Sequence, residues 1–98
     1  MENQEELETV DISYWLDMLN SLERLQNNPD FKKVITNGYM KNKALDSVSM
    51  LADPGVKQRD ERTDIMEDLV SISNLQYYLF MIKQLGEGAK VDMEEVEE

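Results

Sequence analysis

The sequence has 98 residues, of which 41% are hydrophobic and 32% charged, with 21 acids, 10 bases, no His and no Cys. Without Cys the chain can form no disulfide, thiol nucleophile or thiolate metal site. Without His it lacks the commonest general base and transition-metal ligand, so Ser-His-Asp and Cys-His machinery is excluded within it.

The formal net charge of −11 is unevenly spread. Residues 1–11 carry −5, residues 87–98 carry another −5, and residues 12–86 carry −1. A short chain this acidic at both ends is expected to have acidic flexible termini, residues 1–10 and 87–98, around a helical domain at 11–86. The acidic start is unlike the basic, then apolar, opening of a secretory signal. The longest apolar run, Tyr77 to Ile82, is far shorter than the roughly 20 residues needed to span a bilayer. The expected location is therefore the cytoplasm.

In chain order, the first predicted helix runs from about Asp11 to Asn27. Ile12, Trp15, Leu16, Leu19, Leu22 and Leu25 recur at offsets that place them on one face. Asp11 suits the N-cap, with Val10 and Trp15 at the positions of a hydrophobic staple. The lone Trp15 is expected in the core, with Tyr14 turned to its rim. Asn28-Pro29 then reads as a new helix start, since Asn caps well and Pro suits the first helical position. Phe31, Val34 and Ile35 offer a short apolar face, and Gly38 is expected to split this second segment. From about Lys41 to Ala52, the residues Ala44, Leu45, Val48 and Leu51 are expected inward.

Asp53-Pro54-Gly55 marks a break. Residues 56–62 are polar and read as loop or an early helical turn. The last helix is predicted from about Thr63 to Leu85, with Ile65, Leu69, Ile72, Leu79 and Ile82 on its buried face and Gly86 as its C′ residue. No segment alternates as a strand would. The expected fold is all-α: a small antiparallel bundle of three long helical segments, four if Gly38 breaks one.

Four features carry functional readings. Leu75 to Ile82 is apolar nearly all round, with Tyr77, Tyr78, Phe80 and Met81 outside the main face. Such a helix is either central in its bundle or a self-association or partner surface, where aromatic and Met side chains are enriched. Tyr14 is placed beside that set. Lys32, Lys33, Lys41 and Lys43 bracket Gly38 as a basic patch that reads as solvated surface or a dock for acidic protein. Asp60, Glu61, Asp64, Glu67 and Asp68 cluster at the start of the last helix, where acids favour the helix dipole and Arg59 and Arg62 stand as partners. A divalent-cation site there is the competing reading, without an EF-hand pattern. The glycines read as breaks or caps and form no phosphate loop. No catalytic, metal or cofactor residues are assigned, and an enzyme is not expected.

The words Phe31-Lys32-Lys33-Val34-Ile35-Thr36-Asn37-Gly38-Tyr39-Met40, Leu51-Ala52-Asp53-Pro54 and Leu69-Val70-Ser71-Ile72-Ser73-Asn74-Leu75 resemble a group of small helical proteins of tailed bacteriophages, over roughly residues 11–89. The resemblance implies a phage origin and transfers no functional residues. The expected function is non-enzymatic protein binding, as a minor virion or assembly component acting through helix-mediated self-association or partner binding. The alternative is an early phage protein that inhibits a host enzyme, its acidic ends occupying a basic or nucleic-acid-binding groove. A homo-oligomer is expected, in the bacterial host cytoplasm or on the virion. Direct nucleic-acid binding is disfavoured, because the acidic ends would repel phosphates.

Overall fold

The structure, a computed structural model, describes residues 4–97, and side chains from 11 to 95. Helix α1 spans Gln4–Gln26. A second helical stretch begins with α2, Pro29–Phe31, continues through a π-helical segment, Lys32–Lys43, and ends as α3, Ala44–Leu51. A short α4, Pro54–Gln58, precedes the long α5, Arg62–Glu97. The chain is all-α, with no strand among the described residues.

The starts of α2 and α4 follow directly from local chemistry. The Asn28 side-chain oxygen accepts from the N–H groups of Asp30 and Phe31, at 2.9 and 3.1 Å, with Pro29 in the first turn. Asp53 does the same for Gly55 at 2.8 Å, ahead of Pro54. Both caps satisfy donors that a helix start leaves without partners. The turn between α4 and α5 passes through Asp60 in the left-handed region, at φ 56°, a conformation that Asp tolerates better than most residues.

Helix α1 begins at Gln4 rather than Asp11. Asp11 is thus an interior residue and not a cap, and the Val10–Trp15 staple is not formed at a helix start. Residues 4–10 include Leu and several Glu, which are good helix formers, so nothing local stops the helix at Asp11.

The chain folds as two compact units, residues 27–77 and residues 1–26 with 78–98. In the 27–77 unit the buried residues are Ser47, Val56, Ile65 and Ile72. Gly38 does not split the second helical stretch, which runs unbroken into α3. The stretch instead widens into i→i+5 turns where Val34-Ile35-Thr36-Asn37-Gly38 brings together poor α-helix formers. These wider turns alter the angular step per residue, so α3 emerges with a rotated face. Leu45 and Val48, expected inward, are exposed, and Ser47 is buried in their place. Arg62 Nε donates to the Leu51 carbonyl at 3.0 Å, satisfying an acceptor at the end of α3.

In the other unit, α1 supplies buried Leu19 and Leu22, and α5 supplies Ile82, Gly86 and Ala89. Gly86 is not a helix terminator. Its φ is not positive, and α5 continues to Glu97 through the segment expected to be a flexible tail. Glycine is needed there for a different reason. A Cβ at position 86 would lie 2.5 Å from Leu19 Cβ and 2.9 Å from its Cδ2, so α1 rests on bare α5 backbone. Gly88 differs, with nothing within 4 Å of the corresponding point. Lys90 Nζ lies 4.0 Å from Glu23 Oε1 in the same unit, an exposed pair of small energetic weight.

Two outcomes are expected in urea or thermal unfolding. Gly86→Ala should destabilise by about 1–3 kcal/mol through overpacking, whereas Gly88→Ala should stabilise by up to about 1 kcal/mol through helix propensity. Replacing either cap, as Asn28→Ala or Asp53→Ala, should cost about 0.5–2 kcal/mol.

Candidate protein-binding surfaces

The aromatic residues that the sequence left between core and interface are on the surface. Tyr77 is 63% exposed, Phe80 54% and Tyr78 48%, while Met81 is half-buried. They do not belong to a central helix wrapped on all sides. In the 27–77 unit, Met66, Val70 and Tyr77 follow at spacings of 4 and 7, which puts them on one side of α5. All three are at least half exposed. Ile65 and Ile72 of the same helix are buried on its other side. In the second unit Phe80 and Val91 repeat this relation, 11 residues apart and both exposed, against buried Ile82 and Ala89.

Tyr14, expected at a rim, is half exposed. Its ring stands edge-on to Trp15, at 4.9 Å between centroids and 81° between planes. Trp15 itself is half-buried rather than core. It lines an open groove of about 720 Å³ formed by α1 and the C-terminal part of α5. Ile12, Trp15, Leu85 and Ala89 supply its apolar lining, and Asp11, Asp92 and Glu95 its charge. Among the described residues, no Lys or Arg lines it. The spacing Ile82, Gly86, Ala89, Met93 carried a helical signal through this region. The two glycines masked it, because Gly is also the commonest residue just past a helix end.

Lys32, Lys33, Lys41 and Lys43 are all exposed on the π-helical segment. Lys43 Nζ approaches Asp68 Oδ2 at 3.9 Å, so this member of the basic patch faces the acidic start of α5 within its own unit. The acids there do not converge on one point: among the described residues, no group of three or more is placed to hold a metal ion. Glu61 is tied to Arg59 by Nε–Oε1 and Nη2–Oε2 hydrogen bonds of 2.7 and 3.3 Å. That hydrogen bond, reinforced by the opposite charge, draws the Glu61 carboxyl below its ordinary 4.5 and raises the Arg59 guanidinium. Arg62, the other expected partner, turns to the Leu51 carbonyl. Among the described residues, no helix is long and apolar enough to cross a membrane.

No protein-family model matches the chain, and no curated protein or solved structure matches it.

A lowered Glu61 value means that ionised Glu61 favours the folded state above its unfolded value, and that the contribution is lost as pH falls through the folded value. Side-chain NMR titration should give a Glu61 midpoint below 4.5, and Arg59→Ala should move that midpoint back up. An unmoved midpoint would mean the pair does not form in solution.

Proposed function

We propose that this chain is a non-enzymatic protein-binding protein that self-associates through the outward faces of α5. One observation carries the reading: Met66, Val70 and Tyr77 stand exposed on one side of a helix whose other side, at Ile65 and Ile72, is already buried. A helix with only one neighbour to pack against ordinarily turns polar residues outward. Large apolar side chains aligned on the free side have a driving force of roughly 25 cal/mol per Å² to leave water. Tyr and Met are also types enriched where proteins meet. Phe80 and Val91 extend the reading to the second unit.

Self-association favours a closed symmetric arrangement, in which a two-fold axis buries the same patch on both copies. The resemblance of residues 11–89 to small helical phage proteins supports an assembly or minor virion component as the setting. In that setting the residues that matter are Met66, Val70 and Tyr77 in one unit, and Phe80 with Tyr78, Met81 and Tyr14 in the other. The acidic groups at both ends keep the net charge at −11, which limits association to surfaces whose apolar burial outweighs repulsion between copies.

Light scattering on a sizing column should give a defined oligomer whose mass is unchanged in about 0.5 M salt, because apolar burial is not screened. Val70→Asp with Tyr77→Asp should weaken association by about tenfold or more while helicity by circular dichroism is retained. Phe80→Asp makes the matching test in the other unit. A wild-type monomer at both salt concentrations would overturn the reading.

A further inference from the structure

The groove beside Trp15 is a second surface, on the unit that also carries Phe80 and Val91. We infer that it receives a cationic amphipathic helix from a partner protein. The argument starts from what lines it. Ile12, Trp15, Leu85 and Ala89 make an apolar strip between two helices, open to solvent along its length. Leu85, 41% exposed, is part of this strip. A groove between two helices with an apolar floor is the receiving half of helix-in-groove recognition, in which anchors at i, i+3, i+4 and i+7 enter the apolar strip.

Charge selects the occupant. Among the described residues, every ionisable residue on the lining, Asp11, Asp92 and Glu95, is acidic and exposed. An anionic segment or a phosphate chain would meet repulsion there. A helix with apolar residues on one face and Lys or Arg at its flanks satisfies both the strip and its rim. The rim charges steer such a partner and fix its register, while the apolar anchors supply most of the affinity. Trp15 adds a face on which a Lys or Arg side chain can lie.

Gly88 makes the idea testable without unfolding the protein. It lines the groove, and a Cβ there would meet nothing within 4 Å. Gly88→Leu therefore starts its side chain in open space and carries it towards the groove. Trp15 is the only tryptophan in the chain, so its fluorescence reports the groove directly.

The probe is an amphipathic Leu/Lys peptide of about four helical turns, with leucines at helical spacing. A peptide of the same composition in shuffled order serves as control. Titrated against the 98-residue chain, the amphipathic peptide should shift Trp15 emission to the blue and saturate at one peptide per chain. Affinity should fall by about tenfold or more for Gly88→Leu, and similarly for Asp92→Lys with Glu95→Lys. An unshifted Trp15, or equal binding of the shuffled peptide or by Gly88→Leu, would overturn the inference. If Gly88→Leu instead abolishes a concentration-dependent mass of the protein alone, the occupant is a second copy and the partner assignment fails. The first outcome leaves the Val70 and Tyr77 surface untouched, whereas the second would move self-association from the outward faces of α5 to the groove.

Discussion

The contact between Leu19 and the bare backbone of Gly86 sets the geometry of the unit that holds both ends of the described chain. Two helices can approach this closely only where one of them has no side chain. Leu19 takes the space that a Cβ would need, 2.5 Å from it, and is itself almost wholly buried. The neighbouring small residue, Ala89, is buried beside it. The groove follows from the same arrangement. Where the lining residue is Gly88, no side chain fills the space, and Trp15 and Leu85 are left partly exposed. Tight packing at one glycine and an open surface at the next are thus two uses of the same residue type, two positions apart.

The other unit is governed by backbone rather than by a single contact. Asn28 and Asp53 each hold a helix start through side-chain acceptance of backbone N–H groups, and both starts carry proline where its missing donor costs nothing. Between them, β-branched residues, Asn and Gly leave the chain helical but force its turns wider. The consequence is felt beyond the wide segment. Leu45 and Val48 leave the interior, and a serine enters it, because the helix that follows is rotated. Among the described residues no buried side-chain polar atom is left without a hydrogen-bond partner, so Ser47 is accommodated rather than strained.

The surface chemistry divides by sign and by polarity. The aromatic and Met side chains that line the outward side of α5 in each unit offer apolar area, whereas the Trp15 groove offers apolar area inside an acidic rim. The first suits like surfaces brought together, and the second suits an unlike, basic partner. A protein with net charge −11 can hold both because its apolar faces attract by short-range burial, while its acids act over about a Debye length, roughly 8–10 Å.

Several features were readable in the order of residues alone. The all-α class, the cap at Asn28, the break at Asp53-Pro54-Gly55, the buried face through Ile65, Ile72 and Ile82, and the lack of His- and Cys-based chemistry all depend on local periodicity, turn chemistry or composition. Those terms act between residues a few positions apart, so they survive in the sequence. Tertiary structure decided the rest. Gly86 and Gly88 read as helix ends because glycine ends helices in isolation; at Gly86 the apposed Leu19 makes a missing side chain favourable inside the helix, while Gly88 faces open space. Asp11 reads as a cap only if the chain before it is not helical. The exposure of Tyr77 and Phe80 depends on how many neighbours cover α5, and the burial of Ser47 depends on the rotation accumulated through the π turns. Each of these is a property of what lies across from a residue, and a one-dimensional pattern does not specify its partner.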